Sequence, residues 1–355
     1  MTKHSHLRFI QGGQLERNQI LVGDALDRLR QLPEGSIDQV LTSPPYFRLR
    51  NYGTDDQIGL ETHVDQWVER LAAISAEVHR LLVPTGTYWL NLGDTYSFHH
   101  SQGALRKSLL MAPERLALRL QRDGWIIRNK VIWAKTNPIP ISVRDRLACT
   151  YEVIYVLAKQ PTYFFDLDAI RQPHKTRSPK PYRMKRAREE SWRGPNGDTA
   201  TGLDSLKAAG LAGHPLGKNP GDVWQLATAN HRGDHHAMFP MTLATRAIQA
   251  GCPEARCTRC RQPWRRRIIR ALGGVASRAA LGPTCDCRAP SEPGIVADPF
   301  IGSGTTAVAA EALAREWLGV ELNPAFAVLA NDRIADERYK RQRETEDNSP
   351  GAPAA

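Results

Sequence analysis

The sequence predicts an α/β fold: a doubly wound, mostly parallel sheet covered by helices on both faces. Three observations predict it. Strand-like runs alternate with amphipathic helical periods along most of the chain. Asp24, Ser43, Asp298 and Glu321 each fall at the carboxyl end of such a strand, where open parallel sheets place ligands. The 355 residues suffice for one large domain with insertions, or for two domains.

The elements follow in order. Residues 19–24 read as a first strand, "ALDRL" as a short helix and residues 37–42 as a second strand. Residues 63–83 are the clearest helix, because Val64, Trp67, Leu71, Ile74, Val78 and Leu81 recur at three- and four-residue steps. Residues 86–92 form a strand, and residues 109–122 form a helix ended by Gly124. "WIIRNKVIW" and "YEVIYVLA" add two strands. Residues 18–169 thus make one half of the domain. Residues 170–228 are rich in Pro, Gly, Arg and Lys with little periodicity, as in an insertion or small recognition region. "FPMTLATRAIQAGC" opens a second half over 229–251 and 291–335, interrupted by a cysteine segment at 252–290. That half continues as strand, glycine turn, helix, strand, turn and helix. Residues 336–355 are polar and Pro/Ala-rich, as in a disordered tail.

The net charge of +11 is unevenly placed. Residues 171–193 carry nine Lys/Arg against two Asp/Glu, and residues 256–288 carry nine against one. The rest of the chain is net acidic. Two concentrated basic segments suit a polyanion better than a solubilising surface, which mixes both signs. No apolar run approaches the roughly 20 residues of a membrane span. The N-terminal residues lack a signal-like apolar stretch, and six cysteines do not make a disulfide scaffold. The expectation is a cytoplasmic protein, drawn to the nucleoid by DNA.

Cys257, Cys260, Cys285 and Cys287 form C-x2-C-x24-C-x-C, a spacing for a structural Zn2+ site. Four thiolates leave a zinc centre at net −2, which the neighbouring arginines offset. Cys252 is a spare, either packed or an alternative ligand. Cys149 reads as a small core residue.

"VADPFIGSGTTAVAAEAL" gives a strand, a Gly-containing turn and a helix start, where backbone N–H groups approach a ligand. Glu321 ends the next strand and can accept from ribose hydroxyls. Neither GxxxxGK[ST] nor GxGxxG is present, so a nucleoside suits this turn better than a pyrophosphate. Asp24 can complete the same pocket or simply cap the helix that follows.

"TSPPY" after a strand, "FPMTL" far downstream and "DPFIGSGTT…GVELNP" near the end together resemble the beta-class DNA amino-methyltransferases. The resemblance spans about residues 18–335, except the recognition region and the cysteine segment. It implies a Rossmann-like domain and an S-adenosyl-L-methionine cofactor. Asp298, Phe300, Gly302, Ser303, Gly304, Thr305 and Thr306 would form the methionine side of its pocket. Glu321 would bind ribose with Asn323 beside it, Asp24 would sit near the adenine, and Phe239 and Pro240 would wall the pocket. Ser43, Pro44, Pro45 and Tyr46 would be the catalytic motif. Ser43 Oγ and the Pro44 carbonyl can accept from an exocyclic amine, the prolines stiffen the loop, and Tyr46 offers a stacking face. Arg171, Lys175, Arg177, Lys180, Arg183, Lys185, Arg186 and Arg188 are candidates for phosphate contacts, with Tyr182 and Trp192 as wedges.

The resemblance implies site-specific methylation of double-stranded DNA, with a possible companion restriction endonuclease and a monomer or homodimer. A serine at the first motif position leans toward cytosine N4, with adenine N6 as the alternative. C5 chemistry is rejected because no cysteine stands in place as a nucleophile. From a different class, a non-catalytic zinc-containing DNA-binding protein is the competing reading, and an RNA or protein substrate is a weaker third.

Overall fold

A computed structural model describes residues 15–54, 56–173, 214, 216–229, 239–270 and 276–347. In chain order the main strands are β1 (Gln19–Val22), β2 (Ile37–Thr42), β3 (Leu82–Leu92), β4 (Ile126–Lys135), β5 (Tyr151–Ala158) and β6 (Val223–Leu226). Four strands outside the main sheet follow: β7 (Arg256–Cys257), β8 (Arg265–Arg270), β9 (Ala276–Gly282) and β10 (Ser291–Glu292). The last two are β11 (Ile295–Asp298) and β12 (Glu316–Glu321). Eight of them form one sheet in the order β1-β12-β11-β2-β3-β5-β4-β6. Only β5 runs against its neighbours. The predicted mostly parallel sheet is therefore present. Its two terminal strands, β11 and β12, are inserted between β1 and β2.

Side-chain alternation along the strands feeds two cores. Val40, Leu90, Leu92 and Ala297 pack toward α1 (Ala25–Arg30), α2 (Val64–Leu81) and α3 (Ala112–Arg122). Leu41, Trp89, Val296 and Trp317 pack toward α4 (Met241–Gly251), α5 (Thr305–Ala312) and Ile334 of α6 (Pro324–Asp347). All six residues of β2 are buried, as expected for a central strand covered on both faces. The predicted stripe of α2 lies in the first core, and His63 and Gln66 close its N-terminus as a capping box.

Four sequence expectations shift. β3 starts at Leu82, straight out of α2, rather than at residue 86. α3 starts at Ala112 rather than 109, because Met111 turns left-handed (φ 54°) and the Asp94 carboxylate accepts from the N–H groups of Met111 and Ala112. α6 runs to Asp347, so residues 336–347 are helix and not disordered tail. Their strong helix formers include Arg338 and Arg341, both paired with Glu311. Cys149 is exposed, since it lies in the loop between β4 and β5 and not in the sheet.

The cysteine segment meets the amino-terminal edge of the sheet. β7 pairs with β10, and Arg256 of β7 is fully buried. Its Nη1 donates to Asp38 Oδ2 (2.8 Å) and the Ser36 carbonyl (2.8 Å), and its Nε to Glu292 Oε1 (2.9 Å). The Ile295 N–H also bonds Asp38 Oδ2 (2.8 Å). Arg17 continues the chain of charges from Glu292 to Glu316. Burial raises the Asp38 carboxyl to about 6, with Arg256 and the Ile295 N–H opposing it. The β8–β9 hairpin is fixed to the body by Arg266 on Glu254 and by Arg278 on Asp166.

Removing one partner of a buried pair leaves an uncompensated charge. Arg256→Met should therefore destabilise the protein by about 3–5 kcal/mol. Urea denaturation checks this, and a loss under about 1 kcal/mol would show that Asp38 accommodates solitude.

Candidate active site

Parallel strands bring their carboxyl ends to one edge. There β1, β2, β11 and β12 surround a cleft of about 740 Å³ including its open mouth. Gly23, Asp24 and Ala25 line it from the end of β1, and Ser43 and Pro45 from the end of β2. Pro299, Phe300 and Gly302 follow β11, and Glu321, Leu322 and Asn323 close β12. Seven predicted site residues thus share one wall-to-wall cavity.

The Asp24 carboxylate lines the cleft and also caps α1 by accepting from the Asp27 N–H (3.1 Å). Glu321 accepts from the backbone N–H of Gly302 (3.1 Å) and of Asn323 (2.9 Å), which aims its carboxylate at the cleft. Burial raises its carboxyl above the ordinary range, and those N–H groups resist the rise. Three acids, Asp24, Asp56 and Glu321, and Pro45, Ile58, Phe300 and Phe326 as apolar lining suit a ligand with hydroxyls and a flat ring. That set of acceptors and apolar faces fits a nucleoside cofactor.

The remaining cofactor candidates stand behind this lining. Asp298 is buried; it accepts from Thr42 Oγ1 (2.5 Å), Thr306 Oγ1 (2.6 Å) and the Phe300 N–H (3.0 Å). Burial pushes its carboxyl up to about 6. Gly302 and Gly304 take left-handed conformations (φ 51° and 81°) that turn the chain from β11 into α5. Ser303 and Thr305 accept from Arg333. Phe239 and Pro240 do not line the cleft: Phe239 packs in the second core, and Pro240 is the N-cap residue of α4. Sequence reading missed Tyr52, Thr54, Asp56, Gln57, Ile58 and Phe326, which also line the cleft. The signal for the first five was a polar, Gly-containing loop directly after "SPPYF".

The loop leaving β2 is held from several sides. Trp67 Nε1 donates to the Pro45 carbonyl (2.9 Å), and Thr95 Oγ1 to the Phe47 carbonyl (3.0 Å). The Pro44 carbonyl accepts no hydrogen bond from the described residues. Tyr46 lies over Gly93, where an added Cβ would come within 2.6 Å of the ring. Its hydroxyl donates to Glu152 Oε2 (2.6 Å) and stands 3.0 Å from Ser43 Oγ. Asn91 Nδ2 contacts both Glu152 (2.8 Å) and the Tyr46 hydroxyl (2.8 Å). Lys135 Nζ pairs with Glu152 Oε1 (2.6 Å).

Of the predicted DNA contacts, Arg171 is described; it binds Asp168 (2.5 Å) and the Gly217 carbonyl (3.1 Å). Lys175, Arg177, Lys180, Arg183, Lys185, Arg186 and Arg188, with Tyr182 and Trp192, lie outside the described residues. The sulfur atoms of Cys257, Cys260, Cys285 and Cys287 lie within 4.8 Å of one another. Cys252 is packed in the second core. No helix among the described residues is long and apolar enough to cross a membrane.

The fold and the cleft define an α/β class of protein with a nucleoside-sized cleft at the carboxyl edge of a mostly parallel sheet. Comparison makes this specific: a family profile described as DNA methylase matches residues 37–332. The chain belongs to this family of S-adenosylmethionine-dependent DNA amino-methyltransferases. It is 32% identical over 342 residues to the type II methyltransferase M.XycI of Xanthomonas campestris pv. cyanopsidis, covering 90% of this chain and 88% of that one. It is 31% identical over 341 residues to the type II methyltransferase M.SmaI of Serratia marcescens, covering 90% and 91%. A solved PvuII DNA methyltransferase, described as cytosine-N4-specific, shares the fold with a TM-score of 0.54 at 18% identity, covering 90% and 91%.

Glu321 lines the cleft and would accept from ribose hydroxyls in its ionised form. Because its carboxyl is raised, cofactor affinity should be full above that raised pKa and weaken as pH falls through it, sooner than for an ordinary glutamate. Titration calorimetry across pH checks this. Glu321→Gln should weaken S-adenosylmethionine binding about tenfold at neutral pH and flatten the profile.

Proposed function

We propose that the chain transfers a methyl group from S-adenosylmethionine to the exocyclic N4 amine of a flipped-out cytosine in double-stranded DNA. The observation that carries this is the position of Ser43 and Pro44. Ser43 lines the nucleoside cleft just past the end of β2, and the buried Pro44 follows it with its carbonyl bonded to no described residue. When bound, the cofactor supplies an electrophilic methyl group on a sulfonium. The exocyclic nitrogen is a poor nucleophile because its lone pair is delocalised into the ring. Ser43 Oγ and the Pro44 carbonyl accept its N–H bonds, favour a tetrahedral nitrogen and stabilise its developing positive charge. In the transfer the methyl carbon would exchange its bond to sulfur for one to nitrogen, and the proton lost by the amine would pass to solvent. Pro45 and the Trp67 bond keep the acceptors aimed, and the Tyr46 ring offers the face on which the base stacks. Asp24 and Glu321 hold the ribosyl and adenine end of the cofactor.

Serine at the first motif position favours cytosine, and the fold shared with a cytosine-N4-specific enzyme supports it. The type II relatives support a companion endonuclease directed at the same site. Digesting methylated DNA to nucleosides for mass spectrometry tests the base. N4-methylcytosine is expected, and N6-methyladenine would overturn that choice while leaving the family intact.

Cys257, Cys260, Cys285 and Cys287 would hold a structural zinc. Their mutual separations suit a tetrahedron with Zn–S bonds of about 2.3 Å. The site adjoins Arg256 on the edge of the sheet opposite the cleft, so its contribution is to folding and not to methyl transfer. Native protein should contain about one zinc per chain, and chelation should lower the melting temperature. Less than about half an equivalent would count against the site.

A further inference from the structure

Five polar side chains meet beside the target loop, and only two of them, Ser43 and Tyr46, belong to the motif. Glu152 arrives because β5 runs antiparallel to β3. The register pairs Leu92 with Val153, so the residue before Val153 reaches the carboxyl edge of the sheet. Lys135 arrives at the end of β4, which runs parallel to β3. Glu152 and Lys135 are largely buried, with side-chain exposures of 14% and 22%.

The protons in this group can be assigned by counting donors. An ionised Glu152 only accepts. Its Oε2 lies 2.6 Å from the Tyr46 hydroxyl, whose single proton therefore points to Glu152. Burial, with the Glu152 charge adding to it, holds the Tyr46 phenol well above its ordinary range, so it keeps that proton. Asn91 Nδ2 donates to Glu152 and to the Tyr46 oxygen. Turning the Asn91 amide over would set its oxygen against the carboxylate. Ser43 Oγ lies 3.0 Å from the Tyr46 oxygen, which has no proton left to give, so Ser43 donates there. Asn91 Nδ2 also lies 3.3 Å from Ser43 Oγ and takes one of its lone pairs, which leaves the other for a ligand in the cleft that Ser43 lines.

We infer that Glu152, held by Lys135 and acting through Tyr46, orients the Ser43 hydroxyl so that Ser43 accepts from the target amine. Glu152 is thus a positioning residue that touches neither substrate nor cofactor. The inference rests on the proposed capture of the amine by Ser43. Without the carboxylate, Tyr46 can donate to Ser43, and the serine proton is free to face the amine. Two donors then oppose each other where the nitrogen must pyramidalise.

Steady-state and single-turnover methylation with full-length protein and duplex DNA test the idea. Glu152→Gln should lower kcat on the order of 10–100-fold. KM for DNA and Kd for S-adenosylmethionine should stay within about twofold, as for an interaction used in the transition state. Tyr46→Phe keeps the stacking ring and should lower kcat similarly. The double variant should be no slower than the slower single one, because both cut the same path. Additive losses, or full kcat in either single variant, would overturn the inference. Should Glu152→Gln lose its fold or its cofactor, Tyr46→Phe decides alone. Ser43→Ala separates the two levels. If it is inactive while Glu152→Gln and Tyr46→Phe are fully active, only the orienting role fails. If it is fully active, the capture of the amine by Ser43 fails as well.

Discussion

A single buried carboxylate joins the two halves of the active site. Asp298 accepts from Thr42, the residue before Ser43, and from Thr306 in the first turn of α5. One bond reaches the loop that leaves β2 and the other the helix that follows the glycine turn, so the two are tied through one side chain. The strands behind them, β2 and β11, are paired neighbours in the sheet. Burial lifts the Asp298 carboxyl to about 6, so near neutral pH it stays charged only because three hydrogen bonds compensate it. Methyl transfer needs donor and acceptor atoms held at a fixed separation, and a charge that tolerates no loss of partners supplies such a constraint.

A second buried charge does comparable work at the opposite edge. Asp38, near the start of the same β2 strand, is held by Arg256 and the Ile295 N–H. Strand β2 is thus fixed by charge at both ends, to β7 below and to β11 above. The cysteine segment enters the sheet through Arg256, next to Cys257. A metal on the four thiols would stiffen the segment that delivers this arginine. The arginines of the β8–β9 hairpin illustrate how net charge misleads: Arg266 and Arg278 bind Glu254 and Asp166 of this chain. Part of the basic excess read from the sequence as facing a polyanion is therefore neutralised internally.

Much of the site was legible because it rests on local patterns. Ser43, Asp24, Glu321 and the glycine turn lie at strand ends, and strand ends can be read from apolar runs and the breakers that follow. Parallel pairing brings these ends to one edge of the sheet, and the strand order makes them neighbours there. Roles within the site were less legible. Asp298, Ser303, Thr305 and Thr306 stand behind the cleft, and Phe239 and Pro240 lie outside its lining, because a motif does not say which of its side chains face inward. Cys149 looked like a core residue beside an apolar strand, yet the loop that carries it leaves the sheet. The final helix outran its expected end because Arg338 and Arg341 find Glu311 across the structure.

The sequence by itself determined the strand–helix alternation, the order of the motifs and the stiff, aromatic-ended turn of "SPPY", since each depends on residues near one another in the chain. Only the tertiary structure decided which strands adjoin. It set β11 and β12 between β1 and β2, closing one cleft from residues almost 300 positions apart. It also reversed β5, which delivers Glu152 to Tyr46. The physical reason is the same in both cases. Hydrogen-bond register and strand direction are fixed by burial of both faces of the sheet, a property of the whole chain that no local window contains.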